Sequence, residues 1–461
     1  MDYRIEKDSM GEVKVPAGVL YGAQTQRAAE NFPVSGLRIP GRMIRAIGLA
    51  KKAWAEVNRT ASRLEPRLAE AIIKAADEVA NGQHDAQFVV DVFQTGSATS
   101  SNMNANEVIA NRAIQILGGV IGSKDPVHPN DHVNMSQSSN DIIPTAIHIA
   151  ALESLELDLL PALGRLALAL EAKARQFDPI VKIGRTHLQD AVPIRLGQEF
   201  SGYAAQVRKG IVRVRSCKPH LAELALGGTA VGTGLNAPER LPEQVIAKLA
   251  SWTNLPLRQS DTLFEALASK DALVEASGAV RTVAVSLSKI AEDIRWLGAG
   301  PRCGIGEIKI PDLQPGSSIM PGKVNPVMSE MMIMACAQVQ GNDLAVALGG
   351  QAGHFELNTM MPLMAHNLLQ SISLLSHAAE LFATRCVEGL QADEARCAWM
   401  VEQSLAMVTA LAPRIGYDAA AALAKEAYAS GKTIRALCIE KKVLPQDELN
   451  RLLDARKMTG A

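Results

Sequence analysis

Five short stretches concentrate the side chains that can do chemistry. They are Gly96-Ser97-Ala98-Thr99-Ser100-Ser101-Asn102, His128-Pro129-Asn130-Asp131 and Ser136-Gln137-Ser138-Ser139-Asn140-Asp141. Further along come Gly184-Arg185-Thr186-His187-Leu188-Gln189-Asp190, and Gly316-Ser317-Ser318 followed by Pro321-Gly322-Lys323-Val324-Asn325. Hydroxyls, amides and a lysine donate hydrogen bonds to anions, and a histidine exchanges protons near neutral pH. Among nine histidines, His187 stands out because Arg185, Thr186, Gln189 and Asp190 surround it; His128 follows, beside Asn130 and Asp131. No C-x-x-C and no H-E-x-x-H occurs, so no zinc or iron–sulfur site is expected.

Two readings fit the first and third stretches. Ser, Thr, Asn and Asp collect at helix starts because their oxygens accept unpaired backbone N–H groups. The same groups at a helix N-terminus can bind an anion, where the dipole favours negative charge. The readings are compatible. A nucleotide-phosphate loop does not fit the fifth stretch. Five residues separate Gly316 from Gly322, and Val324 follows Lys323 where a P-loop needs Ser or Thr. One cation, one amide and two hydroxyls on a glycine-hinged loop suit a lid over a small carboxylate.

These stretches need a scaffold, and helical periodicity supplies it. Leu273, Ala276, Val280, Val283, Leu287, Ile290, Ile294 and Leu297 alternate spacings of three and four, a coiled-coil-like seam that asks for partner helices. Leu152, Leu155, Leu159, Leu163, Leu166 and Leu170 repeat the habit, with a bend expected at Pro161 and Gly164. Met331 to Leu348 predicts another long helix. Such helices bury their seams as a bundle. Gly300 to Pro326 holds five Gly and five Pro, so no helix runs through it. Gly227 to Gly234 is a second glycine-rich break, and short helical patterns follow Glu394.

The composition agrees. In 461 residues, 48% are hydrophobic and only 4% aromatic, which disfavours a large all-β fold. The 47 basic residues nearly balance 48 acidic ones, so no nucleic-acid partner is expected. Asp158 and Arg165 interrupt the most apolar stretch, and the charged start Met1 to Val15 lacks an apolar core. The expectation is neither membrane span nor secretory signal. Six scattered cysteines suit a cytoplasmic protein.

The chain strongly resembles class II fumarate hydratase, within the fumarase/aspartase superfamily. The superfamily's loop GSSxMPxKxN is matched by GSSIMPGKVN at Gly316 to Asn325. EKDSMGEVKVP, YGAQTQRA, TGSATSSNMNANEV, HPNDHVNMSQSSND, IGRTHLQDA and ELALGGTAVGTGLN extend the resemblance over nearly the whole chain. Aspartases typically have Gln at the position of His187 and Ala at that of Gly322. Ala98 and Ser100 depart from the Gly and Gln common in fumarases, as does Val327-Met328-Ser329 from their TQC.

The resemblance implies a mainly α, three-domain subunit with a central long-helix bundle. Its divisions are an N-terminal mostly helical domain (1–137), the bundle (138–394) and a small C-terminal domain (395–461). It implies a homotetramer with shared active sites, a small dicarboxylate substrate, no cofactor and no metal. The activity implied is reversible hydration of fumarate to L-malate; aspartate ammonia-lyase, a related lyase, or a non-catalytic descendant are the alternatives. Catalysis falls to His187, Ser317 and Glu330. Substrate binding falls to Ser97, Thr99, Ser138, Ser139, Asn140, Thr186, Ser318, Lys323 and Asn325. His128, Pro129, Asn130 and Asp131 match a second dicarboxylate site.

Overall fold

A computed structural model describes residues 2–460. Helices dominate, as expected, and among the described residues strands pair only two at a time. The chain gathers into two compact units. The first takes the residues through Pro161, with Val212–Ala284 and Ala337–Ser376; the second takes Ala162–Ile211, Val285–Cys336 and the residues from His377 on. No helix among the described residues is long and apolar enough to cross a membrane.

The first unit opens with an antiparallel hairpin, β1 (Tyr3–Asp8) and β2 (Gly11–Pro16). Helix α1 (Gly41–Thr60) buries Met43, Ile47, Ala50, Trp54 and Val57, one face at helical spacing. Helix α2 (Pro66–Ala80) starts on a proline whose missing N–H is harmless there, and Glu65 accepts the N–H of Arg67 and Leu68. Then come α3 (Thr99–Ile116) and α4 (Ser139–Ser154).

The leucine seam from Leu152 to Leu170 is wholly buried. It runs from α4 through a turn of π-helix at Leu155–Leu159 into α5 (Leu160–Gln176). The irregularity thus falls about one turn before Pro161. Pro161 has no N–H and its ring crowds the carbonyl of the preceding turn, and the widened turn relieves both.

In the second unit, β3 (Val181–Thr186) and β4 (Gln189–Arg195) form a hairpin, followed by α6 (Leu196–Ser216). Three long helices are each divided between the first and second units, α7 (Asp271–Leu297), α8 (Val327–Gly350) and α9 (Met361–Arg385). Ser277 Oγ donates to Asp343 Oδ1 at 2.7 Å, and Gly350 faces Val274 so closely that a Cβ would sit 2.6 Å from its methyl. As one number rises the other falls, so α7 and α8 run antiparallel. Asn342 Nδ2 reaches Gln370 Oε1 at 2.9 Å and Gly349 abuts Met364, which makes α8 and α9 antiparallel too. Between α7 and α8 the chain is irregular except at β5 (Ile308–Lys309), which pairs with β6 (Gln391–Ala392). The tail packs Met407, Leu411, Leu423, Leu437, Leu449 and Leu453 together, and its helix α10 (Tyr417–Ser430) stops at Gly431, φ 66°.

One expectation is corrected. Every residue of the seam from Leu273 to Leu297 is already buried within the single chain. The chain's own helices cover it, so the seam does not require another copy. Uncovered apolar side chains on the long helices lie off this seam, among them Met334, Leu344 and Leu348 of α8 and Val285 and Trp296 of α7.

Asp91 secures the approach to α3. Its buried carboxylate accepts from Ser35 N and Oγ, Gly36 N and Phe93 N, all within 2.9 Å. Burial pushes this acid up, but the four hydrogen bonds outweigh burial and hold it at about 2. The folded value lies below the unfolded one. The stabilisation is therefore present above the ordinary carboxylate range and lost as pH falls through about 2. Asp91→Asn is expected to melt below wild type at pH 6, with the gap narrowing as pH falls from 4 to 2. A gap independent of pH in thermal melts would contradict this assignment.

Candidate active site

In the first unit, two helix N-termini are joined by hydroxyls. Helix α3 begins after Ala98, which takes φ 54° and offers no capping side chain. The hydroxyls around it are not spent on a cap. Ser97 Oγ lies 2.8 Å from Thr99 Oγ1, which lies 2.8 Å from Ser139 Oγ at the start of α4. Ser138 differs, since it caps α4: its Oγ accepts Asn140 N while Asp141 Oδ1 accepts Ser138 N at 3.0 Å. Asn140 Nδ2 donates to Ala230 O at 2.9 Å, in the glycine-rich break. Both positive helix ends thus carry hydroxyls linked to one another rather than to the helix backbone, an arrangement that attracts a carboxylate. Gly96 makes the approach possible, because a Cβ there would lie 1.9 Å from Thr359 O.

Behind these termini lie two buried charges that no local pattern announces. Asp141 is wholly buried and its Oδ2 accepts Gly227 N at 3.0 Å and Thr229 N at 3.1 Å. Burial pushes its acid up to about 6, against those hydrogen bonds. Lys51 is also wholly buried, and its Nζ donates to Asn134 Oδ1 and Gln137 Oε1, each at 2.9 Å. Burial pulls it down to about 7. These two side chains fix the backbone on either side of Ser138–Asn140.

His128 starts a five-residue π turn, Pro129–Val133. Its Nδ1 accepts Asn130 N at 3.3 Å and Asp131 N at 3.2 Å, so the ring is oriented by its own turn and Nε2 is left for other partners. Asn130 and Asp131 are exposed while Pro129 is buried. His132 stands four residues on, a metal-ligand spacing, but its Nδ1 accepts His128 N at 2.8 Å. Among the described residues no group of three His, Cys, Asp or Glu gathers as a metal site.

In the second unit, Thr186 and Gln189 are paired, so His187 and Leu188 are the two central residues of a hairpin turn. Both have positive φ, 57° and 59°. Such a turn favours Asn-Gly, and the left-handed region costs other residues about 1–2 kcal/mol each. The strain projects His187 into solvent, where it is exposed together with Thr186 and Leu188.

The 316–325 loop closes on itself. Gly316 N donates to Lys323 O at 2.7 Å and Asn325 Nδ2 donates to Gly316 O at 2.7 Å. Ser317 Oγ accepts Ile319 N at 3.2 Å and Met320 N at 2.9 Å. Two amides aimed at a hydroxyl oxygen stabilise negative charge there. Ser318 and Lys323 are exposed, and among the described residues no carboxylate pairs with Lys323. The loop borders a cleft of about 800 Å³. Glu330 sits in the first turn of α8, half-buried. Among the described residues no hydrogen bond joins it to His187 within one chain.

Comparisons with known proteins set the family and the fold. A model described as Lyase matches residues 11–341, which sets the class, and one described as Fumarase C C-terminus matches 407–460. Fumarate hydratase class II of Mycobacterium tuberculosis is 56% identical, covering 100% of this chain and 97% of its own. Class II fumarase of Schistosoma mansoni superposes with a TM-score of 0.96 at 39% identity, covering 99% of each chain. A cobalt-bound fumarate lyase:delta crystallin of Brucella melitensis superposes with 0.95 at 46% identity, covering 100% of both. The chain belongs to the class II fumarate hydratases, a family of hydro-lyases with a mainly α fold.

Asp141 gives the site's most direct structural test. In Asp141→Asn the amide NH₂ must face backbone N–H groups, leaving buried donors unpaired at about 1–3 kcal/mol. A lower melting temperature is expected, with faster amide exchange at Gly227 and Thr229. Unchanged exchange at both would contradict the role given to this carboxylate.

Proposed function

We propose that this chain catalyses the reversible hydration of fumarate to L-malate, as a cytoplasmic, metal-independent homotetramer serving the tricarboxylic acid cycle. The observation that carries the reading is Ser317, whose oxygen receives two backbone N–H groups beside the unpaired Lys323. In the dehydration direction a base removes a C3 proton, and the carbanion drains into the adjacent carboxylate. That carboxylate gains negative charge, and preorganised donors lower the barrier. Ser317 acts as the base in its alkoxide form, which the two amides and Lys323 stabilise. His187, oriented by Glu330, protonates the departing C2 hydroxyl, which leaves as water.

Ser97, Thr99, Ser139, Asn140, Thr186, Lys323 and Asn325 hold the two carboxylates. Ser138 fixes the start of α4, and Ser318 lines the loop. His128, Pro129, Asn130 and Asp131 form a second dicarboxylate site, for which the His128 ring, held by its own turn beside exposed Asn130 and Asp131, is the support. The three-domain division at 137/138 and 394/395 belongs to the same reading.

The sites are shared between chains. Two observations support this. The apolar residues Met334, Leu344 and Leu348 on α8 call for cover, and among the described residues no hydrogen bond joins His187 to Glu330 inside one chain.

The test is an ultraviolet assay for fumarate, run in parallel on L-malate and L-aspartate. Fumarate from L-malate alone is expected; fumarate from L-aspartate alone would make the enzyme an ammonia-lyase, and none from either would overturn an active lyase. Activity should survive dialysis against a strong chelator, whereas loss restored by added metal would contradict metal independence. His187→Asn should lower kcat by about 10²–10⁴-fold with a much smaller change in KM. A near-normal kcat would remove His187 from the mechanism.

A further inference from the structure

The exposed, strained turn at His187 has to be held from its root. Residues 186–190 are all exposed, so no packing at the tip sets its direction. The last fixed point before the tip is Arg185. Its Nη1 and Nη2 donate to Glu307 Oε2 and Oε1 at 2.9 and 3.1 Å, a two-pronged bond that forbids rotation. Glu307 is wholly buried. Its carboxylate also pairs with buried Lys182 of the same strand at 3.2 Å, and Lys182 pairs with Glu199 of α6 at 3.2 Å. Two cations and two carboxylates balance. The backbone of Glu307 is itself pinned, since its N–H donates to Leu297 O and its carbonyl accepts Asp393 N, both at 2.9 Å. A bulge separates Ile183 from Arg185 in the pairing, and Gly184 sits there because a Cβ would lie 2.7 Å from Val192 O. The bulge shifts the register of the outer pairs, Arg185 with Asp190 and Thr186 with Gln189, and the Arg185–Glu307 fork sets the alignment of that shifted end.

We propose that Glu307 is a further positioning residue for His187, acting through Arg185 to hold the turn at its unfavourable φ angles while Glu330 orients the ring. Strained backbone persists only where its surroundings over-determine it, and an acid–base group displaced by about 1 Å can lose on the order of 10²-fold in rate. The effect of this clamp on rate rests on the hydratase reading; its effect on the turn does not.

Two variants test it. Glu307→Gln removes the carboxylate and leaves buried Lys182 and half-buried Arg185 with Glu199 alone. Arg185→Lys keeps the charge but loses the fork. Each is expected to lower kcat on L-malate by about 10–100-fold with KM changed less than about 3-fold. In a His187→Asn background each should change the residual kcat less than about 2-fold, because the clamp acts through the side chain already lost. Equal losses in both backgrounds, or none in either, would overturn the proposal. Should Glu307→Gln not fold, Arg185→Lys carries the test. A crystal structure of Arg185→Lys gives a readout independent of activity. The turn at 187–188 is expected to leave its positive φ angles or to shift by more than about 1 Å. An unmoved turn overturns the clamp even if wild type is active. A moved turn in a protein that makes no fumarate overturns only the hydratase reading.

Discussion

A long helix that keeps apolar side chains uncovered beside an already buried face asks for a further partner, and α8 is such a helix. Its residues Met332, Cys336, Val339 and Val346 are buried by the chain itself, while Met334, Leu344 and Leu348 are left uncovered. It has 24 residues, which at 1.5 Å each make it about 36 Å long. The proposed chemistry sits at helix ends, with Glu330 in the first turn of α8 and the 316–325 loop just before it. An element that must be covered on both sides also carries, at its start, the groups that need partners. The assembly proposed here follows from that pairing of requirements.

The polar groups are held by backbone more than by other side chains. The caps and turns at Ser138, His128 and Ser317 all use backbone N–H groups as donors. Those dipoles are fixed before a ligand arrives, so they need no reorganisation when charge builds up. The buried Asp141 and Lys51 extend the same logic one layer deeper. Each is displaced by burial toward neutrality, and each lies behind residues proposed to face a carboxylate.

Much of this could be read in the sequence because it is periodic or compositional. The leucine seam from Leu152 to Leu170, the helix at Val327–Gly350 and the irregular Gly300–Pro326 segment all follow from local pattern. The seam at Leu273–Leu297 was legible as a buried face, but periodicity does not say whose helix buries it. The hairpin at His187 was not legible. Its turn is His-Leu where the favoured pair is Asn-Gly, so the local signal is absent. The Arg185–Glu307 fork spans 122 residues, and Asp141 reaches amides 86 and 88 residues away. Contacts of that range leave no trace in local spacing. The alternation of Lys182 and Arg185 around a glycine, and the isolated Glu307 between glycine and isoleucine, are the only hints, and both are weak.

The central claim is that His187 and Lys323 reach one active site from different chains. Refolding an equal mixture of His187→Asn and Lys323→Ala tests it most directly. Each variant refolded alone has every site damaged. In mixed tetramers some sites draw an intact His187 from one chain and an intact Lys323 from another. The account predicts that co-refolding restores a minority fraction of wild-type fumarate formation while neither parent recovers alone. Mixed tetramers confirmed by native mass spectrometry, yet as inactive as the parents, would show that both residues serve one site from one chain.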